Sequence, residues 1–187
     1  RSAIESAFGD WKEGPPALTM PPEPAEGRQF IDIVNRANAS QSNVILGLPT
    51  IDPSQPDYIA LEAANAMLGG SFSSRITSNI REDKGYTYSP FSQLSVRRGD
   101  GYWAQQAAIT TDDTAAALKE VYFEINRLRD EPPAEEELRA IQNYMAGVFT
   151  LRNSTRQGII NVLNQVDLHG LDDSYLTEYV SRIYALT

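Results

Sequence analysis

Two runs of strand-forming residues, 86–96 and 102–110, are separated by little more than Arg98-Gly99-Asp100-Gly101. A connection this short can turn the chain back but cannot cross a sheet, so the two strands must pair antiparallel. Upstream, Phe30, Ile31, Ile33 and Val34 predict a first strand and Val44, Ile45, Leu46 and Leu48 a second, with the polar residues 35–43 as the turn between them. Between these two pairs the periodicity changes to that of helices. Residues 57–68 place Leu61, Ala64 and Leu68 on one side, with Asp57 as a candidate cap, and Gly69-Gly70 stops the pattern. A shorter helix is predicted over about 74–84, because Ile76 and Ile80 are four apart and Gly85 stands where a left-handed residue ends a helix.

After the second strand pair the pattern is helical throughout. Leu118, Val121, Ile125 and Leu128 form one stripe, and Pro132-Pro133 breaks it. Glu135-Glu136-Glu137 then opens another helix, where carboxylates suit the N-terminal dipole, and Leu138, Ile141, Met145 and Val148 form its apolar face. Further helices are predicted at about 155–168 and 175–183. The order strand, strand, helix, helix, strand, strand, then helices predicts an α+β fold, an antiparallel sheet with helices packed on one face, rather than a doubly wound sheet. No repeat with a solenoid period interrupts it.

At the N-terminus Ile4, Ala7, Phe8 and Trp11 have helical spacing, and five prolines follow between Pro15 and Gly27. Residues 1–27 therefore read as the tail of a preceding element and a semi-rigid linker, and 28–187 as one folded body. The chain begins without methionine, which points to a piece of a longer protein.

Composition removes several functions. With 16 basic and 25 acidic residues the net charge is −9, which opposes a nucleic-acid partner. No apolar run approaches the roughly 20 residues of a membrane span. The absence of cysteine rules out disulfides and thiolate chemistry in this piece. "LGGSFSSR" at 68–75 lacks the Gly-Lys-Ser/Thr ending of a phosphate loop, and no Gly-x-Ser-x-Gly elbow presents a serine nucleophile. His169, the single histidine, sits beside Gly170 and reads as a helix-end residue. Glu135, Glu136 and Glu137 are consecutive on a helix and diverge, so they make no metal site with it.

Arg81 and the tyrosines after it remain. Arg81 falls in the last turn of the short helix, and Tyr86 and Tyr88 alternate along the strand that leaves it. Guanidinium and phenol are hydrogen-bond donors at neutral pH, suited to gripping a carbonyl or an oxyanion. The bland alternative is an arginine packed on a surface tyrosine.

"LGGSFSSRITSNIREDKGYTYSP", with the strand Gln41-Ser42-Asn43-Val44-Ile45-Leu46-Gly47 and the helix start Glu136-Glu137-Leu138, closely resembles the C-terminal, non-zinc-binding domain of the M16 peptidases, the pitrilysin and insulinase group. The likeness covers about 28–187 and implies the LuxS/M16 metallohydrolase-like α+β fold. In that family similar domains form two halves that enclose a peptide, and the zinc motif His-x-x-Glu-His lies in a first domain of the catalytic half. Nothing here matches that motif. The resemblance thus implies no cofactor in this piece, with zinc in a catalytic M16 partner domain or subunit. It implies a peptide substrate, with Arg81 and Tyr88, or Tyr86 as a near alternative, binding it near the scissile bond. It also leaves open a scaffold module without peptidase role, or a catalytic chain whose zinc motif lies upstream. Family habit places such proteins in the bacterial periplasm or envelope.

Overall fold

The computed structural model describes residues 1–12, 14–15, 29–98 and 100–187. The proline-rich linker expected from Pro15 to Gly27 lies, but for Pro15, outside the described residues. Helix α1 (Ser2–Phe8) has no buried residue, and Phe8 closes edge-on against Trp11 with ring centroids 5.0 Å apart. The body contains β1 (Gln41–Pro49), α2 (Tyr58–Asn65), β2 (Phe91–Arg97), β3 (Asp100–Thr110), α3 (Thr114–Asp130), α4 (Glu135–Asn153), α5 (Arg156–His169) and α6 (Ser174–Tyr184). The α+β class and the antiparallel pairing of β2 with β3 are as expected from the sequence.

Among the described residues the sheet is three-stranded, in the order β1-β3-β2 and wholly antiparallel, so the longest strand is central. Along β3 the alternate residues Trp103, Gln105, Ala107 and Ile109 are buried, which marks that face as the one covered by helices. Trp103 packs with Leu68, Ile76, Ile80 and Val121, and Ile109 with Ala107 and Ala117. A further apolar cluster joins α2, α4, α5 and α6 through Ile59, Met145, Val166, Tyr179 and Ile183.

The predicted first strand is corrected. Phe30, Ile31, Ile33 and Val34 lie outside any strand, each more than four-fifths exposed. Strand propensity is largely a preference for a half-buried pleated surface, and among the described residues they have no cross-strand neighbour to supply one. The chain instead turns at Arg36–Ala39, with Asn38 at φ 60, and the sheet begins at Gln41.

The two central helices also differ from expectation. The first helical run does end at the paired glycines, but beyond α2 its last turn widens into a π-helical segment, Ala66–Gly70, and the second helix is π-helical over Thr77–Asp83. The reason for the first is contact with the sheet. The Asn65 side-chain oxygen accepts from Ser92 Oγ at 2.7 Å and from Trp103 Nε1 at 2.9 Å. A Cβ on Gly69 would sit 2.6 Å from Gln105 Oε1 and 2.7 Å from Ser92 Oγ. Only a bare backbone approaches the strands that closely. As predicted, Gly85 ends the second segment in the left-handed region, at φ 66.

His169 does end α5, but its side chain turns inward. It is 2% exposed, and Nδ1 stands 3.8 Å from Asp52 Oδ2. Arg75, also buried, makes a two-pronged ion pair with Glu137, Nε to Oε1 at 2.7 Å and Nη2 to Oε2 at 2.6 Å. This fastens the first turn of α4 to the start of the second π-helical segment.

Two outcomes follow from these contacts. Gly69→Ala should lower the urea-unfolding free energy by about 1–3 kcal/mol, the usual cost of overpacking a tight site; an unchanged midpoint would contradict the close approach. The hydrogen bonds from Arg75 hold the Glu137 carboxyl below its ordinary value of 4.5. A carboxylate depressed on folding stabilises the protein above the unfolded value and loses that contribution as pH falls through the folded one. Stability of the native chain should therefore decline below about pH 4.5 more steeply than that of Glu137→Gln, measured by denaturation at successive pH values.

Candidate functional site

The second π-helical segment is clamped on one side only. Ile76, just before it, and its own Ile80 are fully buried, and Asn79 reaches α3, donating to Glu124 Oε1 at 2.8 Å and to Glu120 Oε2 at 3.1 Å. Lys84 Nζ in turn donates to Asn79 Oδ1 at 2.7 Å. With Asn79 and Ile80 committed to the interior, the next residue, Arg81, emerges at the surface, its side chain 25% exposed.

What it meets there depends on the chain after Gly85. Continuing the β2–β3 ladder past Phe91↔Gln106 would set Thr87 opposite Thr110, yet Thr87 bridges to Ile109. One extra residue is thus accommodated between Thr87 and Phe91, the signature of a bulge, and Pro90 there has no N–H to contribute to a ladder. The strand predicted from residue 86 accordingly begins only at Phe91. Thr87 is anchored inward through Oγ1 to the Ala108 carbonyl at 2.7 Å, and the following residue, Tyr88, is thrown outward and 78% exposed.

The structure brings Arg81 and Tyr88 together. The guanidinium carbon lies 5.0 Å from the centre of the Tyr88 ring and 4.6 Å from that of Phe72, which is 70% exposed on the turn between the two π-helical segments. Arg81 Nε also pairs with Glu82 Oε1 at 3.0 Å. Tyr86 is placed differently. It is partly buried against the clusters around Ile80 and Ile109, its N–H donates to the Ile80 carbonyl at 2.9 Å, and its carbonyl accepts from Thr110 N–H at 3.1 Å.

A guanidinium held by ring faces is gripped without spending its in-plane N–H groups on the rings; with Nε paired to Glu82, the terminal N–H groups are the ones suited to an incoming acceptor. Tyr88 adds an exposed phenol that both donates and accepts. Phe72 and Glu82 join the site without having been expected there, although both lie inside the 68–90 stretch. An aromatic between paired glycines and an arginine was the available signal for Phe72; nothing marked Glu82 beyond adjacency.

The residues present do not fit a zinc centre. His169 faces Asp52 in the interior, and among the described residues no group of three or more His, Cys, Asp or Glu side chains could hold a metal ion.

A family model described as the peptidase M16 inactive domain matches residues 1–145. The chain belongs to this family. It is 23% identical over 173 residues to an uncharacterized zinc protease of Streptomyces coelicolor, covering 90% of this chain and 38% of that protein. It superimposes on the crystal structure of a peptidase M16 inactive domain from Pseudomonas fluorescens with a TM-score of 0.74 at 27% identity, over 80% of this chain and 36% of the other. A protease structure from Helicobacter pylori gives a TM-score of 0.73 at 20% identity, over 81% and 37% of the two chains. This M16 inactive domain thus spans well under half the length of the curated zinc proteases it matches.

The stack itself is measurable. A double-mutant cycle of Arg81→Met and Tyr88→Leu, read by urea unfolding, should return a coupling of about 0.5–1 kcal/mol, the value of an exposed cation–π contact. A coupling indistinguishable from zero would mean that ring and guanidinium do not meet in solution.

Proposed function

We propose that residues 28–187 form the C-terminal-type domain of a non-catalytic M16 half, and that Arg81 and Tyr88 bind the backbone of a peptide near its scissile bond while a partner half supplies the zinc. The observation that carries this reading is the Arg81 guanidinium, partly exposed, resting against the exposed rings of Phe72 and Tyr88.

Each residue has a distinct part. Arg81 donates to the carbonyl oxygen of the peptide and stabilises the negative charge that grows there as the bond is attacked. Its two aromatic neighbours fix the guanidinium before substrate arrives, so little ordering is needed at the moment of reaction. The Tyr88 hydroxyl supplies a second donor. Strand β2, an edge of the sheet paired on one side only by β3, offers backbone groups along which residues around Ser89–Ser95 align the peptide as an added strand.

A second reading is favoured by the coverage of the relatives. The chain accounts for 38% of a protein named a zinc protease, which leaves ample length for a zinc motif on the same polypeptide. In that case the domain belongs to a catalytic chain, and the stack is surface packing.

The test compares kcat/KM for peptide cleavage by the full-length protein together with its zinc-bearing half. Arg81→Ala should lower it by about 10²–10³-fold, the loss seen when one oxyanion donor is removed, and Tyr88→Phe by a smaller factor with the ring retained. Unchanged kcat/KM in both folded variants would defeat the proposal and leave the second reading.

A further inference from the structure

A cleft of about 750 Å³ opens between β2 and helices α2, α4, α5 and α6, and neither Arg81 nor Tyr88 lines it. Its walls carry the rings of Tyr58, Tyr144, Phe149, Tyr175 and Tyr179, and Glu62 of α2 is the one carboxylate among them. Phe149 stacks on Tyr179 at 4.4 Å between centroids, and Tyr175 lies 5.5 Å from Tyr179. From these observations we infer that the cleft is a binding site for a primary ammonium or guanidinium group on an apolar stem, with the Glu62 carboxylate as its counter-ion and the tyrosine rings as its walls.

The surroundings of Glu62 leave its charge poorly compensated. Its hydrogen bond comes from a neutral phenol, Tyr179 OH to Oε2 at 2.9 Å. Burial pushes the carboxyl up to about 7, while the Tyr179 bond and the charge of Arg152 pull the other way. A carboxyl raised so far is one whose negative charge is poorly compensated. The neighbouring groups are phenols on α2 and α6: Tyr58, Tyr175 and Tyr179 are all pushed up, chiefly by burial and next by the Glu62 charge. Asp52 adds negative charge near Tyr58. On α4 the titratable residues facing the cleft are Tyr144 and Arg152; α5 contributes Gln165, which donates to Tyr175 OH at 3.4 Å, and β2 contributes Ser92, Gln93 and Leu94.

Such a cavity is hostile to an anion and wasteful for a plain hydrocarbon, because the carboxyl would stay desolvated. A cation satisfies both wall types at once, by ion pairing to the carboxylate and by resting against the negative faces of the rings. Arg152 is the competing cation. It is exposed on the rim and acts on Glu62 through charge, with no hydrogen bond between them.

Binding requires the ionised carboxylate, so the sign of the pH effect is fixed: below the raised value a proton must leave Glu62 before the cation can pair. Titration of the full chain with n-butylammonium, followed by tyrosine ring resonances, should give saturable binding that is about tenfold tighter at pH 8 than at pH 6. Uncharged n-butanol should not saturate, and Glu62→Gln, which keeps an acceptor for Tyr179, should abolish the ammonium response. N-acetyl-lysine amide distinguishes the source of the cation: tighter binding than n-butylammonium identifies a peptide side chain, weaker binding a free amine. Absence of saturation at pH 8, equal affinity at the two pH values, or equal response to n-butanol would each overturn the inference, and these need no variant. Full binding by Glu62→Gln would overturn it as well.

Discussion

One side-chain oxygen organises the centre of this domain. Asn65 Oδ1, at the end of α2, accepts hydrogen bonds from two different strands, Ser92 on β2 and Trp103 on β3. Each such bond is worth only about 1 kcal/mol net, but leaving any of these buried groups unpaired costs more, so the position of the helix end above the sheet is tightly specified. Gly69 then meets Ser92 and Gln105 at a distance that no side chain tolerates. A regular α-helix does not satisfy both contacts, and the chain widens into a π turn at this place. Wide turns of this kind are rare and tend to persist where surrounding contacts impose them.

The same constraint determines what reaches the surface. Because Ala66–Gly70 lies flat on the strands, the turn after it must climb away, and Phe72 projects from it while Ser71 and Ser74 stay buried. The chain then descends again through Ile76 and Ile80, and Asn79 is trapped against Glu124. Arg81 is the first residue free to face the same side as Phe72. The bulge before Phe91 returns Tyr88 to that spot. Three residues from three turns of chain are thus brought together by the packing beneath them, and the cation–π contacts add to that placement.

The sequence made the α+β class, the β2–β3 hairpin and the four later helices legible, because each rests on a long periodic pattern or on turn chemistry at Gly85 and the 98–101 connection. It also brought Arg81 and Tyr88 forward as a pair. The strand expected at Phe30–Val34 misled because apolar composition reports burial that a neighbour must provide, and none lies across from it. Tyr86 and Tyr88 looked equivalent by strand alternation; the one-residue departure in pairing near Pro90 separates them, and a bulge leaves no periodic trace. The π turn at Ala66–Gly70 was equally hidden, since the residues it meets, Ser92, Trp103 and Gln105, lie far along the chain from Asn65. Glu62 reads as an ordinary polar position on an alanine-rich helix, and only the arrival of Tyr175 and Tyr179 from the last helix makes it unusual.

The two arginines of the central motif show how the fold assigns roles to like residues. Arg75 is 7% exposed in its side chain and bound through Nε and Nη2 to Glu137, so its charge is neutralised within the domain although Nη1 is buried without a hydrogen-bond partner. Removing Glu137 would leave a buried cation, which makes the pair structural by necessity. Arg81, six residues later, has aromatic faces instead of a two-pronged carboxylate, and its one carboxylate contact, Glu82, is itself more than half exposed. Ring faces compensate a cation only partly, so beyond the Glu82 contact the guanidinium keeps a capacity for further acceptors. That residual capacity at a partly exposed position is the physical property that distinguishes Arg81 from its buried neighbour, and it is what the proposed contact with a peptide carbonyl would draw on.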